Sequence, residues 1–140
     1  MLYAREYKQL TAKPPPKNMS ISMVIEQGLP INAVDNMIKI LGINKSCVAN
    51  LLGVTPRSLQ QLKKNAHPRL NNQLTDRALQ LARLMNEITE CFSSKEAAIK
   101  WMSTPNIGLG DETPLSLCNS FTGMEMVRNS VNRLKYGMTA

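Results

Sequence analysis

Between Asn44 and Lys64 the sequence spells out two short helices and the tight turn that joins them, and no other stretch limits the fold so sharply. Asn44 can cap a helix from Lys45 to Leu52, because its short polar side chain accepts a bond from an amide that the first turn leaves unpaired. Gly53 tolerates the positive φ of a tight turn. Thr55 then caps a second helix, which Pro56 opens at its first position and which runs to about Lys64. Counted from Lys45, the fifth place is Ala49, where two helices approach too closely for a larger side chain. Val48, Leu52, Val54, Leu59 and Leu62 are the inward places, all aliphatic. The pattern predicts a helix-turn-helix.

The outward places of the second helix are Arg57, Ser58, Gln60, Gln61, Lys63 and Lys64. An apolar inner face and an outer face of amides and cations suit a helix lying in the major groove. Arg pairs with guanine edges, Gln with adenine edges and Lys with phosphates. Lys45 and Thr55, at the starts of the two helices, complete the expected DNA-contact set. The charge distribution points the same way. The chain carries a formal net charge of +7, all of it in residues 1–74, where ten basic groups face three acidic ones; residues 75–140 are neutral. Between Asp35 and Asp76 there are six cations and no anion. A polyanion is the natural partner of such a stretch, since each phosphate neutralised releases condensed counterions.

The rest of the chain reads as helix. Ile21, Val24 and Ile25 share one helix face, closed by Gly28; Ile31, Val34, Ile38 and Leu41 follow at helical spacing and stop at Gly42. A long helix, roughly Gln73 to Phe92, carries the seam Leu74, Ala78, Leu81, Met85, Ile88 and Phe92. Ser93 with Glu96, and Thr122 with Glu125, have the spacing of capping boxes for two further helices. The first of these places Trp101 at a core-facing position; the second carries Phe121, Met124, Val127 or Arg128, Val131 and Leu134 on its inner face and ends at Gly137. Thr113-Pro114 opens a short helix between them. Strand-like alternation is missing and aromatics are 4%, so the expected class is all-α. Residues 1–18, with the run Lys13-Pro14-Pro15-Pro16-Lys17, are expected as a Pro-rich flexible tail, residues 19–92 as the DNA-binding domain and residues 93–140 as a second small helical domain.

Several functions drop out. No apolar run approaches the ~20 residues of a membrane-spanning helix, and Met1 to Leu10 lacks the features of a secretory signal. Cys47, Cys91 and Cys118 are widely spaced and accompanied by one histidine, His67, which excludes an ordinary zinc site and disfavours a disulfide scaffold. They are expected as reduced core thiols of a cytoplasmic protein. No paired acid and base stands out, so no catalytic residue, metal or cofactor is expected.

The run Trp101-Met-Ser-Thr-Pro-Asn-Ile-Gly-Leu-Gly110, then Thr113-Pro-Leu-Ser-Leu117, Gly123 with Val127, and Arg133-Leu-Lys-Tyr-Gly137 resembles the C-terminal region of the Xre/MbcA/ParS antitoxins. With the helix-turn-helix before it, the likeness covers about residues 20–140. The resemblance implies a type II toxin–antitoxin system. The Xre-type module would bind operator DNA and repress its own operon, most simply as a homodimer on a two-fold site. The second domain would bind a RES-type, NAD-consuming toxin and block its active site, a role that falls on Arg133, Tyr136, Gly137, Met138, Thr139 and Ala140. Asp111-Glu112, after Gly110, departs from the family pattern and points to a contact particular to one toxin. The competing reading is a stand-alone repressor whose C-terminal half only dimerises.

Overall fold

Short polar side chains start most of the helices in the computed structural model, which describes residues 1–137. The elements are α1 (Ala4–Thr11), α2 (Ile21–Gln27), α3 (Ala33–Leu41), α4 (Lys45–Leu52), α5 (Pro56–Leu62), α6 (Asn72–Phe92), α7 (Lys95–Met102), α8 (Pro114–Leu117) and α9 (Phe121–Lys135), with a 3-10 turn at Ile107–Leu109. Among the described residues there is no strand, only two isolated bridges, so the chain is all-α. Ser20, Asn44, Thr55, Asn71 and Thr113 each accept an amide bond from the first turn that follows. Two expected caps shift. Ser94, not Ser93, caps α7, because Ser93 sits at φ 62 and a cap residue needs extended backbone. Ser120, not Thr122, caps α9, so that helix begins one residue before the expected cap.

The chain divides into two units, residues 1–83 and residues from 84 onward, and the division falls inside α6. In the first unit α1 packs on α3, α3 on α4 and α4 on α5. The junction between α2 and α6 is held by polar bonds. The Leu29 amide donates to Thr75 Oγ1 at 3.0 Å, the Thr75 hydroxyl donates to the Leu70 carbonyl at 3.3 Å, and the Leu70 amide returns a bond to the Leu29 carbonyl at 2.8 Å. Gly28 lies against this crossing at φ 84, and a Cβ there would run into the Leu70 carbonyl oxygen.

The expected flexible tail is corrected by α1. Leu10 is fully buried, its carbonyl accepts a 2.7 Å bond from the Asn36 amide nitrogen, and the Thr11 hydroxyl closes the helix on the Tyr7 carbonyl at 2.8 Å. At the other end of the helix the Arg83 guanidinium lies 5.0 Å from the centre of the Tyr3 ring. Within residues 1–18 the proline run remains non-helical, as proline's locked φ and missing N–H require.

In the second unit α7 packs on α8, and α8 and the 3-10 turn pack on α9. The Phe92 and Trp101 rings meet at a tilt of 39° with centroids 5.6 Å apart, and Trp101 is half-buried rather than in the core. Phe121, expected on the inner face of α9, is exposed, since the cap at Ser120 places it in the first turn.

The three cysteines separate: Cys47 is exposed, Cys91 half-buried and Cys118 buried, which corrects the expectation of three core thiols. Burial pushes the Cys118 thiol up to about 12, so it stays protonated and unreactive near neutral pH. Alkylation of the folded protein should therefore modify Cys47 first and Cys118 only on unfolding. Equal labelling rates for the two in the native state, read by peptide mass, would contradict the packing around Cys118.

Candidate nucleic-acid interface and partner-binding face

In the first unit, α4 and α5 form the expected helix-turn-helix. Ala49 is fully buried, and Gly53 takes φ 78 while the Val54 amide donates to the Ala49 carbonyl at 3.0 Å. A Cβ on Gly53 would stand 2.8 Å from the Arg77 guanidinium, which itself donates to the Leu51 carbonyl at 3.2 Å. Arg77 thereby fastens α6 to the end of α4, a role that no pattern in the sequence signals. Val48, Leu52 and Leu59 are buried; Val54 and Leu62 are half-buried.

Arg57, Ser58, Gln60, Gln61, Lys63 and Lys64 are all exposed, as is Thr55, and Lys45 is half-exposed. Two of these residues are occupied by structure. Thr55 Oγ1 accepts from the Ser58 amide at 3.1 Å, and the two hydroxyls bond each other at 2.9 Å. The face therefore keeps Arg57, Gln60, Gln61 and Lys64 open to a ligand. Helix α5 stops at Leu62, earlier than expected, with Lys63 at its C-cap and Lys64 in the turn beyond.

The fold brings Lys45 and Lys63 together from opposite ends of the motif. Lys45 is held below the ordinary lysine range by a hydrogen bond from Lys63 and by that neighbour's like charge, while Asp35 acts in the opposite direction. Asp35 reaches Lys63 from α3, Oδ1 to Nζ at 3.9 Å. The sequence shows Asp35 as the last acid before a long basic stretch but carries no sign that it faces the motif.

In the second unit, the end of the run from Trp101 to Gly110 builds a tight turn after α7. The Asn106 side chain accepts from the Gly108 amide at 2.8 Å, and its backbone amide donates to the Glu112 carbonyl at 3.0 Å. Leu109 is buried, Gly110 takes φ 71, and Thr113 with Pro114 starts α8. Ile107 is left 89% exposed at the tip, next to the exposed Asp111 and Glu112.

Helix α9 buries Gly123, Met124, Val127, Ser130 and Val131 and exposes Arg133 and Tyr136 at its end. Tyr136 is 69% exposed with the Lys135 amine 5.8 Å from its ring centre, and Gly137 follows at φ 67. Met138, Thr139 and Ala140 lie outside the described residues. A groove of about 370 Å3 runs beside this end, lined in part by Glu87, Cys91, Arg128 and Lys135, with Arg128 Nε bonded to Glu87 at 3.1 Å. Among the described residues no cluster of His, Cys, Asp and Glu could hold a metal ion, and His67 is exposed on the segment after α5.

Comparison with known proteins divides along the same lines. Residues 21–83 match the family described as the antitoxin Xre-like helix-turn-helix domain, and residues 89–137 match the antitoxin Xre/MbcA/ParS C-terminal toxin-binding domain. A protein named Antitoxin Xre from Yersinia enterocolitica is 30% identical over 115 residues, covering 81% of this chain and 77% of the relative. Its namesake from Photorhabdus laumondii is 24% identical over 121 residues, covering 86% and 81%. The fold is similar to a chain in the crystal structure of the M. tuberculosis MbcT-MbcA toxin-antitoxin complex, with a TM-score of 0.56 at 19% identity, covering 87% of this chain and 100% of that one.

Proposed function

The chain belongs to the Xre/MbcA/ParS antitoxin family, and from that premise we propose that it neutralises a RES-type, NAD-consuming toxin by blocking its active site and represses its own operon through the helix-turn-helix. The observation that carries this reading is the agreement of two independent divisions. The two family matches, 21–83 and 89–137, each fall within one structural unit.

The division of labour follows from the surfaces. The first unit offers a cationic face on a preformed recognition helix, so α5 enters the major groove with Arg57 and Gln60 toward base edges and Lys45, Lys63 and Lys64 toward phosphates. The second unit lacks that excess of cations, with five basic groups against six acidic ones, and exposes Arg133 and Tyr136 at the end of α9. Gly137 turns the chain out of the helix, and the role of entering the toxin's cleft is assigned to Met138, Thr139 and Ala140 on the family likeness alone. Exposed Tyr and Arg are the side chains that most often anchor protein interfaces. The chain acts by binding and has no catalytic step of its own. It works as a homodimer on a two-fold operator, within a toxin–antitoxin complex in the cytoplasm. No helix among the described residues is long and apolar enough to cross a membrane, in keeping with that location.

The test is to express the chain with the toxin encoded beside it, purify by a tag on the chain, and follow cellular NAD. The full chain should retain the toxin in fixed ratio and keep NAD at its normal level; removal of Met138 to Ala140 together with Tyr136→Ala should let NAD fall. Recovery of the chain alone, or only with DNA, would overturn the toxin reading, and full protection by the shortened chain would overturn the cleft insertion. For the DNA face, Lys64→Ala should weaken binding to every duplex alike and reduce the salt slope by about one. Arg57→Ala or Gln60→Ala should cost about 1–3 kcal/mol on the cognate site and relax base choice. Wild-type binding by all three variants would place recognition on another helix.

A further inference from the structure

We propose that Asp35 is a built-in competitor for the operator's phosphate backbone: its carboxylate holds the place beside Lys63 and Lys45 that a phosphate takes in the complex. The inference rests on the DNA-binding reading above and adds to it the element that limits affinity.

Three charged side chains from three helices meet at this point. Lys45 stands in the first turn of α4, Lys63 at the C-cap of α5 and Asp35 in the first turn of α3. The like charges of Lys45 and Lys63 repel each other, and an anion that attracts both eases the arrangement. In the free protein the carboxylate of Asp35 is that anion, at 3.9 Å from Lys63. The pairing is loose. Side chains of Lys63 and Asp35 are 36% and 57% exposed, and ion pairs so open to water hold with only a fraction of their Coulomb energy. A phosphodiester offers the same charge and the same acceptor chemistry, together with release of its own counterions.

The Asp35 carboxylate yields its contact with Lys63 to the phosphate but cannot move far from it. It sits in the first turn of α3, where an acid is favoured by the unpaired amides of the helix start. The fully buried Ala33, Val34 and Met37 fix that helix from its inner side. The carboxylate therefore stays near the incoming phosphate and repels it. The effect acts on backbone charge and not on base edges, so it lowers affinity for all sequences alike and leaves the choice of operator to Arg57 and Gln60. It makes repression easier to reverse without loosening recognition.

The experiment measures binding of the full chain to a duplex carrying the promoter region upstream of its own coding sequence, and to a scrambled duplex, over a range of salt. Asp35→Asn should bind both about three- to tenfold more tightly at low salt, an advantage that shrinks as salt screens the charge. Asp35→Ser, which retains a side chain suited to a helix start, should do the same. In the Lys63→Ala background the gain should fall below about twofold, since the two residues then no longer share a partner. No tightening in either variant, or an equal gain with and without Lys63, overturns the proposal and leaves the DNA-binding reading intact. Failure of the wild-type chain to bind any duplex at low salt overturns both.

Discussion

Gly123→Ala should unfold or severely loosen the second unit, although alanine for glycine inside a helix ordinarily adds about 1 kcal/mol of stability. The reason is backbone proximity. A Cβ at position 123 would overlap the Leu117 carbonyl oxygen, with the carbonyl carbon at 2.7 Å and Ser120 Oγ at 3.1 Å. The obstacle is main chain at the end of α8, which cannot rotate aside as a flexible side chain can. To admit the methyl, α8 and α9 must part, and with them the buried contacts of Met124 and Val127. The Gly123 amide also donates the 3.0 Å bond that Ser120 uses to cap α9. Overpacking of this kind costs about 3 kcal/mol, and more where backbone must move. Denaturant unfolding followed by Trp101 fluorescence reads this unit, and toxin binding should be lost in parallel. A stabilised variant would show that the two helices do not approach as described.

Leu10→Ala should cost the first unit about 2–5 kcal/mol, the range for a fully buried leucine whose site collapses incompletely. Small domains hold only about 5–15 kcal/mol in total, so this is a large share. Leu10 is 0% exposed, and the backbone it belongs to is pinned to α3 by Asn36. Because α3 packs on α4, the first helix of the DNA-binding motif, the variant should also lose operator affinity on warming before the second unit melts. Thermal unfolding monitored by circular dichroism, with DNA binding measured alongside, checks both parts. A melting curve unchanged from wild type would mean that α1 contributes nothing to the fold.

Leu10 also shows where sequence patterning stops being informative. The helix-turn-helix was legible because its signals are local and redundant: a cap at Asn44, a glycine with positive φ at Gly53, a cap and proline at Thr55 and Pro56, and aliphatic places at helical spacing. The second domain was legible through its spaced motif, whose positions turn out to be a side-chain-closed turn at Asn106, an anchor at Leu109 and a close approach at Gly123. Helix α1 has eight residues and one fully buried leucine, too little for periodicity to register beside a proline run. The caps of α7 and α9 were each displaced for a similar reason. Several Ser and Thr residues stand next to one another, and only the backbone conformation decides which is the extended residue that accepts the bond.

The candidate site divides in the same manner. Arg57, Gln60, Gln61 and Lys64 lie on the exposed face that helical spacing assigns to them, since which side of a helix faces out depends on residues three and four apart. That Lys45, Lys63 and Asp35 share one point, that Arg77 fastens α6 to the end of α4, and that Ser58 turns back to Thr55 were not readable in advance. Short-range spacing and residue types at fixed offsets were enough for every helix but α1, for the outward face of the motif and for the family. Which distant charges meet, which glycine touches a carbonyl and whether the first helix docks follow instead from the folded path of the chain, which no local pattern encodes.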